Sequence, residues 1–307
     1  MNELFLIFLI AGSDYRISSD HFQVESSPGL RRLSELVLKN AEEEYAEIQK
    51  MVPVSIKEKI TIKIASNLSE YESLQPEGYR APTWSVGIAY PKKGIIILRG
   101  DDTNGPDEIL RTFRHELAHI FLHNFSKEKI PKWFSEGFSM YFEERGGLSR
   151  SLRLIRQAFS NSYIDIYTLE EGFPDNPVDI QNAYLTSSEF FSYLLSKIGE
   201  EGLFKVLELV KSGLDFRFAI YKVAGQTVSD IEKDFKKTTR FRYAWLPIIT
   251  SSTTIWILLT MLFIYVFIVK KRKTETRLEI MRAEEDMLLL KRFEEDTKDE
   301  DSKRYLN

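Results

Sequence analysis

The chain contains no cysteine, which removes disulfides, thiolate metal sites and cysteine nucleophiles and leaves histidine and carboxylates as the strong metal ligands. Histidine is scarce as well. Only four occur in 307 residues, and three of them fall within Arg111 to Phe142, "RTFRHELAHIFLHNFSKEKIPKWFSEGFSMYF". No long basic run precedes residue 270 and the formal net charge is only -4, so the electrostatic footprint of a nucleic-acid binder is missing. There is no internal repeat and no low-complexity stretch. With 43% hydrophobic and 13% aromatic residues, the chain can bury a sizeable core instead of remaining disordered.

Charge is absent altogether from Trp245 to Val269, "WLPIITSSTTIWILLTMLFIYVFIV". About 20 apolar helical residues cross a hydrocarbon core of roughly 30 Å, so residues 245–269 are expected to form one transmembrane helix in a lipid bilayer. "KKRK" at Lys270–Lys273 follows at once, and this excess of positive charge predicts a cytoplasmic C-terminal side with everything before residue 245 outside the cytoplasm. The tail, 270–307, mixes both charge signs around a helical stretch at Leu278 to Leu290. At the other end, "LFLIFLIAGS" (Leu4 to Ser13) has the length of a signal-peptide apolar region, and residues 1–13 read as a signal segment. Glu3, with no Lys or Arg before the apolar run, keeps a buried N-terminal strand open as the alternative.

Residues 14–243 lie between these segments. "RISSDHFQVE" (16–25) reads as a strand, and Ser27-Pro28 as the cap and first-turn proline of a helix with an apolar face at Leu30, Leu33, Leu36, Val37, Ala41, Tyr45 and Ile48. "KITIKIAS" (59–66) alternates with period two, and "WSVGIAY" and "GIIILRG" around "PKKG" read as a strand pair. From Pro106 to about Phe241 the pattern is helical, with a turn at "PDNP" and Asp179 as cap of a helix from Ile180 to about Ile198. Strands gather in the first third and helices in the rest, which predicts an α+β fold: a small N-terminal mixed sheet packed with a mostly helical C-terminal lobe.

His115 and His119, in "HELAH", are four residues apart, so on a helix they sit about 40° apart on one face and one turn along the axis. Two imidazoles so placed can converge on one metal ion. Glu116 points about 100° away from His115, which suits holding a water at the metal better than ligating it. The helix is otherwise apolar at Ile109, Leu110, Phe113, Leu117, Ala118, Phe121 and Leu122, and buried imidazoles need partners for their nitrogens. A catalytic zinc takes three protein ligands and leaves a position for water. His123 is two turns beyond His115, about 12 Å of rise, so the three histidines cannot share an ion at about 2.1 Å; it is read as a flanking residue. Glu136 is the better third ligand. It sits among Trp133, Phe134, Phe138, Tyr141 and Phe142 on a second helix, where an uncompensated carboxylate would be costly. Gly137 beside it costs helix propensity, as expected where two helix backbones approach closely.

"HELAH", sixteen further residues, and then Glu136 within "WFSEGF" resemble the gluzincin metallopeptidases, in particular the peptidase MA-like bacterial domains, and more distantly the aminopeptidases with a W-x-x-E-G segment. The similarity extends over roughly residues 18 to 240. It implies a zincin-like fold in which His115, His119 and Glu136 bind one Zn2+ ion and Glu116 polarises the water on it. It also implies that Tyr184, in "NAYLTSSEFF", faces the developing oxyanion, and that "WSVGIAY" is the edge strand whose Gly87, Ile88 and Ala89 meet a polypeptide substrate. Two departures stand out. The supporting acid that many gluzincins carry four residues after the third ligand falls at Met140, and Glu143, on nearly the same face as Glu136, is the substitute; the aminopeptidase G-x-M-E-N motif is absent. The function expected is therefore a membrane-anchored zinc peptidase, of endopeptidase type. The alternatives are a zinc-stabilised, non-catalytic polypeptide-binding domain and a single-pass structural protein whose His and Glu satisfy one another. Glu116 separates the first two, since a binding domain has no use for an acid at that position.

Overall fold

A computed structural model describes residues 8–9, 15–78, 80–101, 103–126, 130–143, 163–174, 176–243 and 252–304. The chain divides into two compact units, Met1–Tyr243 and Ala244–Asn307. The fold is α+β.

Strand periodicity builds the sheet of the first unit. The short β1 (Phe8–Leu9) pairs antiparallel with β2 (Tyr15–Ser18), which pairs antiparallel with β3 (Phe22–Ser26). Strand structure at Phe8–Leu9 is the alternative that the apolar N-terminus left open; the remaining residues of 1–14 lie outside those described. The single strand expected over 16–25 is thus a hairpin. It turns at Ser19 to His21, where the Ser19 N–H donates to the Phe22 carbonyl at 3.0 Å and the Ser19 hydroxyl donates to Glu42 at 2.6 Å. Buried and half-buried positions alternate in β2, β3 and β4 (Ile60–Ala65), as half-covered strands require. The strand pair that follows is β5 (Gly87–Tyr90) and β6 (Ile95–Arg99), and the sheet order is β1-β2-β3-β4-β6-β5. β3, β4 and β6 run parallel, while β5 lies antiparallel at the edge. Being interior, β6 is covered on both faces. Ile96 and Leu98 join the main core, and Ile97 joins a small cluster of Ala65, Tyr71 and Ile88 on the other side.

The helix α1 (Arg31–Met51) buries Val37, Leu38, Ala41, Tyr45 and Ile48 along one face. It starts later than expected, because Pro28–Leu30 forms a 3-10 turn and the Ser27 side chain makes no cap bond. A short helix, α2 (Leu68–Leu74), precedes β5 and carries Tyr71. Next come α3 (Pro106–Phe125), opened by Gly105 and Pro106 with Asp107 and Glu108 in its first turn, and α4 (Lys132–Glu143). The expected "SKEK" link between them falls at 127–129, outside the described residues apart from Ser126. The first N–H groups of α4 have no partner within the helix, and the 167–171 turn supplies carbonyls: Lys132 N–H donates to Glu170 at 2.9 Å and Trp133 N–H to Leu169 at 3.0 Å. This turn interrupts the helical reading of 106–241.

A long helix, α5 (Pro177–Lys211), is broken at Gly199, where φ is 69°, so its first segment ends at the expected Ile198. Its cap is Asn176, which accepts from the Val178 N–H at 2.9 Å, and not Asp179. Pro177 at the first helical position fixes the start three residues earlier and leaves Asp179 in the first turn, where its charge complements the helix dipole. α6 (Phe216–Ala224) and α7 (Val228–Tyr243) close the lobe around an aromatic core. There Trp133 and Phe134 of α4 meet Phe190, Phe191 and Phe216 with ring centroids 4.8 to 6.0 Å apart.

The second unit contains α8 (Ser252–Arg304). Within it Thr254–Arg282 is long and apolar enough to cross a membrane; residues 245–251 of the expected span lie outside the described residues. The helix continues through the charged tail beyond Leu290 instead of ending there.

Candidate metal centre

α3 and α4 pack together, and three side chains converge between them. The Nε2 atoms of His115 and His119 are 3.2 Å apart, and Glu136 Oε2 lies 3.5 Å from the first and 3.6 Å from the second. The candidate ligand atoms all lie within 4.8 Å of one another. Exposure is slight, 14% for the His115 side chain, 18% for His119 and 12% for Glu136. His115 and His119 meet because four residues return a helix to nearly the same face. Glu136 reaches them because α4 lies against α3, which no pattern within either helix encodes.

The outer ring nitrogens are also occupied. His115 Nδ1 lies 3.0 Å from Glu143 Oε2, and His119 Nδ1 lies 3.0 Å from Ser135 Oγ. Each contact holds one imidazole so that Nε2, not Nδ1, faces the common point, as metal-binding histidines require. The donor set of two imidazoles and one carboxylate, each imidazole held from behind, fits a divalent ion with a further position for water. Glu143 therefore stands behind a histidine, one seven-residue repeat beyond Glu136. Ser135 was missed by sequence reasoning, since a lone serine beside the glutamate carries no signal until α4 is docked.

Charge in the cluster is tightly coupled. Burial alone would raise the Glu136 carboxyl, but the positive charge at His119 and hydrogen bonds from both imidazoles hold it well below the usual carboxylate range. Burial would lower His115, yet hydrogen bonds to Glu136 and Glu143 lift it well above an ordinary histidine. Glu116 differs in sign: burial dominates and raises its carboxyl, against the attraction of both histidines and a hydrogen bond from the Ala89 backbone. A carboxyl whose pKa is raised accepts a proton more readily than an ordinary glutamate, and this one lies beside the two histidines.

That bond ties Glu116 to the sheet edge. β5 and β6 pair with Gly87 opposite Leu98, Ile88 opposite Ile97 and Ala89 opposite Ile96, and the Arg99 N–H donates to Val86 at 2.8 Å. Hydrogen-bonded pairs alternate in an antiparallel ladder, so Ile88 pairs with β6 while Gly87 and Ala89 turn their N–H and C=O outward. Gly87 also lets the strand lie on α3. A β-carbon there would stand 2.5 Å from the Thr112 methyl. Ser85 donates to the Gly87 carbonyl and Ala89 donates to Glu116, so one outward group of each residue is already engaged.

Gly137 performs a similar service for α4. A β-carbon would stand 2.6 Å from Phe191 Cβ and closer still to the Ser187 carbonyl oxygen, so α4 and α5 approach backbone to backbone next to Glu136. His123 is not in the cluster but lines a cavity that begins at His119. Tyr184, on α5, sets its ring edge-on against Phe173 at 4.9 Å.

Comparison with curated proteins gives no match. A profile of the Peptidase MA superfamily matches residues 40–240, about two thirds of the chain, from within α1 through the His115, His119 and Glu136 group into α7; the chain belongs to the Peptidase MA superfamily.

Proposed function

We propose that the protein is a zinc-dependent peptidase, of endopeptidase type, anchored in a membrane by one C-terminal helix. The observation that carries this reading is the convergence of His115 Nε2, His119 Nε2 and Glu136 Oε2 next to a buried Glu116 that the edge strand holds in place. Membership of a peptidase superfamily supports it, and the absence of the aminopeptidase motif supports the endopeptidase type. His115, His119 and Glu136 would hold the ion, and zinc suits two imidazoles and a carboxylate. A zinc ion bound there supplies Lewis acidity, polarising the scissile carbonyl and making a water easier to deprotonate.

The residues of the chain do the rest. Glu116 takes a proton from the attacking water and passes it to the leaving amine, and the Ala89 N–H orients its carboxylate. Burial supports this role by raising the carboxyl, which makes it a better proton acceptor. Glu143 and Ser135 keep the imidazoles turned. An extended substrate pairs with the outward groups of β5, the Gly87 N–H and Ala89 C=O among them, while Ile88 stays with β6. Tyr184 is assigned as donor to the oxygen that gains charge, on family resemblance alone. In this reading the apolar stretch of α8 spans the bilayer, and the positive charge of "KKRK" after it supports a cytoplasmic tail with the catalytic unit on the other side.

Glu116→Gln tests the reading. Full-length protein in detergent should keep one zinc per chain and lose peptide cleavage by at least about 10²-fold, the lower end of what a general base contributes. Equal activity in both proteins refutes the mechanism. Stoichiometric zinc with no cleavage in either one favours a binding domain.

A further inference from the structure

On the outer edge of β5 the N–H and C=O groups of Gly87 and Ala89 face away from β6. Two of these four groups are held from within the chain. The Ala89 N–H donates to Glu116, and the Gly87 C=O accepts from the Ser85 hydroxyl. What stays open to a pairing chain is one donor, the Gly87 N–H, and one acceptor, the Ala89 C=O.

Ser85 is held firmly to this task. Its N–H donates to the Pro82 carbonyl at 2.9 Å, and the Arg99 guanidinium fixes the same turn by donating to the Thr83 carbonyl at 2.7 Å. Behind it, the Tyr71 hydroxyl donates to Ser85 Oγ at 3.4 Å. Tyr71 is fully buried, and burial pushes its hydroxyl up to about 12, so it keeps its proton and stays a donor. Ser85 Oγ therefore accepts from Tyr71 and gives its own proton to Gly87. A second donor at the Gly87 carbonyl would have to share the oxygen with a hydroxyl that the turn keeps in place.

An extended substrate in antiparallel register, the more stable pairing, meets these groups in a fixed order. Its residue opposite Ala89 donates an N–H to the Ala89 carbonyl, but its own carbonyl finds no donor on β5, because the Ala89 N–H is engaged by Glu116. That carbonyl, level with Glu116, is the one left free to react, so the cleaved bond follows this residue. Two residues on, opposite Gly87, the pattern reverses: the substrate carbonyl accepts from the Gly87 N–H, while the substrate N–H faces a carbonyl already taken by Ser85. A residue without an N–H loses nothing there, and proline is such a residue. Proline also drives the residue before it into extended conformations, which this substrate already has. We infer that Ser85 makes the enzyme tolerant of proline at the second residue after the cleaved bond, by occupying the carbonyl that would otherwise select for an N–H at that position. The inference rests on the peptidase reading.

The test uses full-length, zinc-loaded protein in detergent and fluorogenic peptides carrying Ala or Pro at each position from two before to three after the cleaved bond, which mass spectrometry locates. At the second position after the bond, the wild-type Ala-to-Pro ratio of kcat/KM should lie within about threefold of one. Ser85→Ala frees the Gly87 carbonyl for an incoming N–H, and one net hydrogen bond should raise that ratio, at that position alone, by about 3- to 10-fold. Ser85→Thr, which keeps the hydroxyl, should retain the wild-type ratio. Ser85→Gly gives the same reading as Ser85→Ala if the latter does not fold. Binding is a second readout: on the Glu116→Gln background, which blocks cleavage, Ser85→Ala should tighten the Ala peptide by about 3- to 10-fold and leave the Pro peptide unchanged. A wild-type ratio above about threefold, a ratio unmoved by Ser85→Ala and Ser85→Gly, or a rise at a position before the bond overturns the role of Ser85 and leaves the peptidase reading standing. Wild type that cleaves no peptide in the set, and so matches Glu116→Gln, overturns the peptidase reading and this inference with it.

Discussion

Gly137→Ala separates two opposed effects. In an exposed helix this change adds about 1 kcal/mol of stability, because glycine is the poorer helix former. Here the new methyl carbon would stand 2.6 Å from Phe191 Cβ and within overlap of the Ser187 carbonyl oxygen. Neither neighbour is the tip of a flexible side chain, since one is backbone and the other is a β-carbon on the same helix, so α4 must move away from α5. Overpacking of a tight core costs about 1 to 3 kcal/mol, and the rigidity of this contact argues for the upper end. Subtracting the propensity gain leaves a net loss of about 2 kcal/mol. For a unit of some 200 residues or more that is a fall in Tm of about 4 to 8 °C. The assay is thermal unfolding of full-length protein in detergent, followed by near-UV circular dichroism of the aromatic core around Trp133. Because Glu136 is the adjacent residue, zinc affinity should fall together with Tm. A variant with Tm equal to or above wild type would refute the close approach and with it the reason for a glycine at this position.

The contacts behind the histidines predict metal affinity. Glu143→Gln and Ser135→Ala should each weaken zinc binding by about 10- to 100-fold in chelator competition, with folding unchanged; unaltered affinity in both would show that the imidazoles orient themselves. A second set of contacts, between the β2–β3 turn and α1, predicts a pH dependence. Burial pushes the Glu42 carboxyl up, but hydrogen bonds from the His21 N–H, the Ser19 hydroxyl and the His21 ring outweigh it, so its pKa in the folded protein is lowered from 4.5. A carboxyl lowered by folding contributes stability that is present above about pH 4.5 and is lost as pH falls through the folded value. The Tm difference between wild type and Glu42→Gln should therefore be constant above pH 5 and shrink below about pH 4; a difference that does not change with pH would refute the assignment.

Several features were legible in the chain because they depend on local geometry. The His115/His119 spacing is a property of any α-helix, and the buried position of Glu136 follows from the apolar residues on either side of it. The alternation in β4 and the strand pair around "PKKG" were likewise visible. Errors arose where two local signals competed. Asn176 outcompeted Asp179 as cap because Pro177 fixed the helix start, and the strand expected over 16–25 folded into a hairpin because Glu42, on α1, draws in Ser19 and His21.

From sequence alone came the donor types, the pair of ligands one helical turn apart and the exclusion of His123, since bond lengths and the rise of a helix settle these without a partner. The tertiary structure alone decided that Ser135 backs His119, that Glu143, the supporting acid already expected from the sequence, stands behind His115, that the Gly87 and Ala89 but not the Ile88 backbone groups face outward, and that a cavity opens beside His119. Each of these depends on how α3, α4 and β5 dock, and docking is set by side-chain packing between residues far apart in the chain, which no periodicity within one element records.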